Sequence, residues 1–112
     1  MLAQVNVDAE PQKGGCAPDE LPALARAIDD APHLSLVGLM AIPRPCADPE
    51  GMRPSFARMR ALLEDLNRSR STPLRELSMG MSDDFEVAIE EGATWLRIGT
   101  ALFGARHQTE TR

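Results

Sequence analysis

Apolar residues recur along the chain with two different spacings, and their alternation sets out the elements. Leu2-Ala3-Gln4-Val5-Asn6-Val7 is an extended, apolar-rich run that predicts a core strand at the very start. Asp8 to Pro18 is rich in proline, glycine and charge, and the Gly14-Gly15 pair permits positive φ and close backbone approach, so this stretch predicts a loop. Leu21, Leu24, Ala25 and Ile28 follow at i, i+3, i+4 and i+7, one buried face of a helix. Asp19 is placed to cap that helix and Glu20 lies at the positive end of its dipole. Pro22 is tolerated because first-turn amides have no partner inside a helix, and Pro32 closes the segment.

Leu34 to Ile42 is nearly continuous in apolar residues, as expected of a parallel strand covered on both faces. Pro43, Pro45 and Pro49 make the next stretch a loop, after which Phe56, Met59, Leu63 and Leu66 recur at helical spacing until the polar 67–72 segment. Leu74 to Met79 predicts a third strand. It leads through Gly80 into Ser82-Asp83-Asp84-Phe85-Glu86, where Ser82 or Asp83 is placed to cap a helix that carries Phe85, Ala88 and Ile89 inward and ends at Gly92. Thr94 to Gly99 predicts a fourth strand, with Trp95 packed between strand and helix, and residues 107–112 form a polar tail.

Strand and helix thus alternate three times before a fourth strand, with no internal repeat, which predicts parallel pairing through right-handed crossovers. Two architectures fit: a small open α/β sheet, or four units of a (β/α)8 barrel, whose complete length is roughly 250 residues. At 112 residues the chain is one domain, and length alone favours the open sheet.

Charge narrows the partners. The net charge is -5 and the 12 basic residues are scattered, so there is no footprint for a nucleic-acid backbone. No apolar run approaches the roughly 20 residues that cross a bilayer, and the N-terminus lacks a basic segment followed by an apolar stretch. A cytoplasmic chain that contacts no membrane is expected. Cys16 and Cys46 have no CxxC spacing and are expected to be free thiols.

The segment with the most chemistry is Ser78-Met79-Gly80-Met81-Ser82-Asp83-Asp84, followed one helix later by Arg97-Ile98-Gly99-Thr100. Small residues where a strand ends and a helix begins leave backbone N–H groups free to meet an anion, and Ser and Thr hydroxyls add donors. Loops after the last two strands of a (β/α)8 barrel are a frequent phosphate site. Arg97 lies among Trp95, Leu96 and Ile98 and is expected to face away from the covering helices and to need an acceptor, since a buried unpaired charge is costly. The residues also admit plainer roles. Ser82 and Asp83 would serve as a helix cap, Gly99 as a turn, and Arg97 as an ion-pair partner of Asp83 or Glu86. Asp83-Asp84 and Glu90-Glu91 are read as dipole and solvated-face charges rather than catalytic pairs, because adjacent helical residues point about 100 degrees apart. His33, His107, Cys16 and Cys46 do not make a metal-binding pattern, so no metal is expected. Met40, Met79 and Met81 are read as packing residues.

Three stretches carry a resemblance. They are Leu77-Ser78-Met79-Gly80-Met81-Ser82-Asp83-Asp84, Glu91-Gly92-Ala93-Thr94, and Arg97-Ile98-Gly99-Thr100-Ala101-Leu102-Phe103-Gly104-Ala105-Arg106. Together they resemble the C-terminal signature of the YggS/PROSC family of pyridoxal phosphate homeostasis proteins. Gln4-Val5-Asn6-Val7 with Glu10, Lys13 and Gly15, and Leu36 to Pro43, resemble that family's fifth and sixth strands, so the likeness spans nearly the whole chain. It implies a fold of four βα units in a parallel sheet, residues 1–106 being the C-terminal half of a (β/α)8 TIM barrel of the alanine racemase type. It also implies pyridoxal 5'-phosphate (PLP) as cofactor. Ser78 and Ser82 would supply hydroxyls to the phosphate, Gly80 and Met81 approaching backbone, and Gly99 and Thr100 a second set of amides. Arg97 would meet the pyridine nitrogen.

The family's Schiff-base lysine lies on the first strand. Lys13, the sole lysine here, falls after the strand that resembles the fifth and is not given that role. A permanently cationic guanidinium disfavours protonation of the ring nitrogen, and the chain has 0 tyrosines to serve as a racemase acid or base, so a cofactor carrier without catalytic residues is expected. The alternatives are a PLP-dependent racemase-like fragment and a half-barrel that binds no ligand and only associates with another protein.

Half a barrel would leave two strand edges unpaired and Val5, Val7, Leu36 and Gly38 facing water. Closure by a missing N-terminal half-barrel, by a second copy, or not at all are the three options. The start of the chain inside a strand favours a truncated or mis-started gene product whose partner half is encoded upstream.

Overall fold

The computed structural model of the chain describes residues 1–11, 14–44 and 46–97. Seven principal elements follow in order: β1 (Leu2–Gln4), α1 (Leu21–Asp30), β2 (Gly38–Met40), α2 (Arg53–Asn67), β3 (Glu76–Met81), α3 (Phe85–Glu90) and β4 (Trp95–Arg97). The strands form one sheet in the order β1-β2-β3-β4, and every pairing is parallel. A doubly wound open sheet reverses its strand order at a switch point, whereas a barrel adds each strand beside the last. The unbroken order is therefore that of consecutive barrel units.

Strand register separates two faces. Ala3, Leu39 and Leu77 sit side by side and are all but fully buried. They pack in one cluster with Leu21, Ala25 and Ile28 of α1, Phe56 and Met59 of α2, and Val87 and Ala88 of α3. The helical periodicities of α1 and α2 therefore hold, because each places its apolar stripe on this one face, whereas α3 turns Val87 and Ala88 inward and leaves Ile89, expected inside, 51% exposed. On the other face Gln4, Met40, Ser78 and Trp95 lie in register, and Trp95 is 59% exposed. Trp95 thus stands on the open face, not between strand and helix.

Several expectations change. Val5, Val7, Leu36 and Gly38 are buried, not exposed. Val5 and Val7 continue the phase of Ala3 and so join the helix-covered side. Gly38 lies hard against β3, where a Cβ would fall 1.9 Å from the Glu76 carbonyl oxygen. The long apolar run from Leu34 pairs only over Gly38–Met40, and Leu34, Val37 and Ile42 are exposed, so this strand is covered on one face. Beyond Gln4 the outer edge of β1 is not bare: Cys16 N–H donates to the Gln4 carbonyl at 3.0 Å and Asn6 N–H to the Cys16 carbonyl at 2.8 Å.

The caps differ too. Ala17 precedes a short 3-10 turn, and its N–H donates to the Glu20 carboxylate at 2.9 Å, so Glu20 rather than Asp19 closes the start of the first helix. Asp84, not Ser82 or Asp83, is the residue before α3. Gly92, with φ of +104°, follows α3 as its spacing predicted.

Candidate functional site

The C-terminal ends of β2, β3 and β4 meet at Arg97. On β4 it lies two residues beyond Trp95, and therefore on the open face. Its position depends on an irregularity in β3. Ser78 pairs with Trp95 and Met81 with Arg97, so three steps along β3 oppose two along β4. Gly80 supplies the bulge with φ of +105°. A Cβ at this position would lie 2.7 Å from Ala88 Cβ and 2.9 Å from Leu96 Cδ2. Strand curvature and the close seat of α3 therefore account for glycine here.

Arg97 Nη1 donates to Ser78 Oγ at 3.0 Å, and Nη2 donates to the Ala41 carbonyl at 3.1 Å. The guanidinium thus links β4 to the middle of β3 and to the residue that follows β2. Its Nε is buried and has no hydrogen-bond partner among the described residues. No carboxylate lies within ion-pair distance of Arg97 among those residues, so pairing with Asp83 or Glu86 does not occur there. A cavity of about 230 Å³ adjoins it, with Ile42, Pro43, Met52, Met81, Asp84 and Arg97 in its wall.

The structure brings four of the expected site residues, Ser78, Gly80, Met81 and Arg97, to one end of the sheet. Ser78 is buried beneath the guanidinium. The Met81 N–H donates to Asp84 Oδ1 at 2.7 Å, so in this conformation that amide is taken. Ser82 is half-buried in the turn between β3 and α3. Gly99 and Thr100 lie outside the described residues, as do Lys13, His107 and the 107–112 tail. Among the described residues no group of His, Cys, Asp and Glu could hold a metal ion, and no helix is long and apolar enough to cross a membrane.

Two features of this end of the fold escaped the sequence. The Ala41 carbonyl is a main-chain acceptor that carries no residue-type signal. Glu91 is not a solvated charge: it is buried and accepts from Arg53 Nη1 at 2.7 Å, with Arg60 at 3.2 Å. Arg53 also meets Glu50 and Glu90, at 2.8 and 2.6 Å, which ties the start of α2 to the end of α3. These carboxylates hold Arg53 protonated more firmly than an isolated guanidinium, and Arg53 in turn lowers the carboxyl of Glu50.

Comparisons with known proteins bear on what this site is. Residues 2–107 match the family model of the alanine racemase N-terminal domain. Over 103 residues the chain is 61% identical to the pyridoxal phosphate homeostasis protein of Pseudomonas aeruginosa, covering 92% of this chain and 43% of that relative. A protein of the same name from Aquifex aeolicus is 49% identical over 106 residues, covering 95% of this chain and 46% of its own. Among solved structures, PipY of Synechococcus elongatus without PLP superposes with a TM-score of 0.82 at 36% identity, over 92% of this chain and 48% of PipY. PipY with PLP bound gives 0.76 at 35% identity. The chain spans under half the length of the curated relatives it matches.

Proposed function

The chain belongs to the alanine racemase N-terminal domain family, and on that premise we propose that it supplies one half of a pyridoxal 5'-phosphate site in a PLP homeostasis protein. The observation that carries this is the Arg97 guanidinium held between β3 and the residue after β2 by two neutral partners, with a buried donor, Nε, left without a partner among the described residues. Such a group calls for a hydrogen-bond acceptor, and the pyridine nitrogen of PLP is one. Relatives named for PLP homeostasis and a solved neighbour with PLP bound support the same ligand.

In this proposal Arg97 meets the ring nitrogen. The phosphate is held by the Ser82 hydroxyl, by the backbone at Gly80 and Met81, and by Gly99 and Thr100. When bound, PLP can serve as an electron sink, and its strength as one depends on protonation of the ring nitrogen. Arg97 cannot donate its charge away, so it keeps that nitrogen an acceptor and weakens the sink. The site therefore holds its ligand more than it activates it, which suits a carrier rather than a catalyst. The open face bearing Trp95, Ile42 and Met81 is closed by a second set of four strands, either another half-barrel or a second copy of this chain.

Trp95, the single tryptophan, reports on this face. Titration with PLP is expected to quench its fluorescence saturably, with competition by inorganic phosphate and with no borohydride-fixed adduct at Lys13. Absence of any saturable change would overturn the proposal, and a stable Lys13 adduct would assign PLP a different seat.

A further inference from the structure

Ser78 and the Ala41 carbonyl share an unusual property for partners of a half-buried arginine: both are neutral. A guanidinium inside a protein normally meets a carboxylate, which cancels its charge and takes two of its donors in a fork. Arg97 instead has one terminal nitrogen on a hydroxyl, at 3.0 Å, and the other on a main-chain oxygen, at 3.1 Å. Those contacts come from different strands, β3 and the residue following β2, so they fix both the position and the plane of the group. Ser78 is 6% exposed, underneath the arginine and away from the cavity mouth. That burial separates its role from the phosphate contact expected from sequence.

We infer that Ser78, with the Ala41 carbonyl, is a positioning residue that holds Arg97 as an uncompensated cation toward a neutral ring nitrogen. The inference rests on the PLP reading above for the identity of the ligand, and on the geometry alone for the positioning. The chemistry follows from the partners' neutrality. A carboxylate at position 78 would share the proton-donating field of Arg97 and lessen its effect on the ring. A hydroxyl anchors the guanidinium while leaving its full charge to act on the ligand. The other titratable groups around the cavity are Cys46, Asp83 and Asp84, and the Asp84 carboxylate already accepts the Met81 N–H. Any protonation of the ring nitrogen is thus set by Arg97 against those two carboxylates.

Two measurements test the inference at separate levels. In the ligand-free chain, solvent exchange of the Arg97 Nε–H, followed by proton–nitrogen NMR and assigned with Arg97→Lys, is expected to be slow. Ser78→Ala should speed it by more than about ten-fold, and Ser78→Thr, which keeps the hydroxyl, should restore protection. Equal exchange in the wild type and Ser78→Ala would overturn the positioning role whether or not PLP binds.

With PLP carrying nitrogen-15 in its ring, the bound nitrogen is expected to protonate only at lower pH than in free PLP. Ser78→Ala should shrink that difference and weaken binding by about ten-fold. Ser78→Asp should move protonation to higher pH than Ser78→Ala does. A ring titration identical in all three proteins would overturn the electrostatic half of the inference. If the wild type fails to bind PLP, the proposed ligand falls and the exchange data still decide the positioning.

Discussion

The carboxylate of Asp84 accepts the main-chain N–H of Met81 at 2.7 Å, closing the turn between β3 and α3 across the mouth of the Arg97 cavity. It occupies a donor that the phosphate proposal assigns to the ligand, and it brings a negative charge to the same place. A carboxylate about 6 Å from a dianion in a wet cavity costs about 1 kcal/mol. Asp84→Asn keeps an oxygen that can accept the N–H and removes the charge. Its affinity for PLP and for inorganic phosphate should rise by about five-fold at low ionic strength, with the gain fading as salt is added. Unchanged affinity would place the phosphate away from this turn. Asp84→Ala removes the acceptor as well, and its stability in urea should fall by about 1 kcal/mol.

Gly80 and Gly92 both have positive φ, +105° and +104°, but their surroundings differ. A Cβ at Gly80 would press on Ala88 and Leu96 at 2.7 and 2.9 Å, whereas at Gly92 it would meet only Arg60 Cδ at 3.5 Å and Cγ at 3.9 Å. Gly92→Ala therefore bears backbone strain alone, about 1 kcal/mol. Gly80→Ala adds the displacement of α3 or β4 and should lose on the order of 3 kcal/mol. Urea midpoints of the two variants check the ranking. Equal losses would mean that conformation, not the seat of α3, requires glycine at position 80.

The first two helices were legible because each carries a polar face that gives the apolar stripe a phase, whereas α3, only six residues long, fixes none, and Ile89 falls outside. Leu21, Ala25 and Ile28, or Phe56 and Met59, cannot be buried on any other side. The strands were less so. Between Leu34 and Ile42 nearly every residue is apolar, so alternation has no phase there and does not tell which side the helices cover. Glu76 and Ser78, polar in alternation with Leu77 and Met79, held the missing phase information for the whole sheet, because register carries it from β3 to both neighbours. Trp95 was misplaced for the same reason: its register with Ser78 is a pairing, and pairing is not local. The Gly80 turn and Arg97 were visible as residue types, and the need of Arg97 for an acceptor followed from charge burial. That the acceptors would be Ser78 and a carbonyl 56 residues away was beyond any spacing argument.

Asp8 joins three segments that the chain leaves far apart. It accepts from the Arg44 main-chain N–H at 2.6 Å, Ser55 Oγ at 2.8 Å and Arg58 Nη2 at 2.5 Å, tying the loops after β1 and β2 to the start of α2. Burial alone would raise its carboxyl. The hydrogen bonds from Arg44, Ser55 and Arg58, with the charge of Arg58, outweigh burial and hold it below the ordinary carboxylate value. A group lowered by folding contributes stability that is complete above the unfolded value, about pH 4, and is lost as the pH falls through the lower folded value. Asp8→Asn should therefore be less stable than the wild type at neutral pH, with a shallower decline on the acid side. Urea midpoints measured from neutral pH downward check this, and parallel acid limbs in the two proteins would contradict it.

The open face makes the last prediction. Trp95 is 59% exposed, and Ile42 and Met81 are 40% and 45% exposed, on the side that a complete barrel would enclose. The outer edge of β1 is engaged by Cys16 only from Gln4 onward, so Leu2 and Ala3 can still accept a neighbouring strand. Apolar surface at a sheet face with a partly free edge favours association over solvation. In sedimentation the chain should exceed its own 12.2 kDa as concentration rises, and a hydrophobic dye should bind at low concentration and be displaced on association. Trp95→Lys places a charge at the middle of the face without touching the helix-packed core, so it should restore a monomer with little loss of fold by circular dichroism. It should also abolish any PLP binding that depends on a second set of strands. If Trp95→Lys leaves both the sedimentation and the affinity for PLP, read from PLP absorbance in equilibrium dialysis, unchanged, the site is complete within one chain and the open face has no part in it.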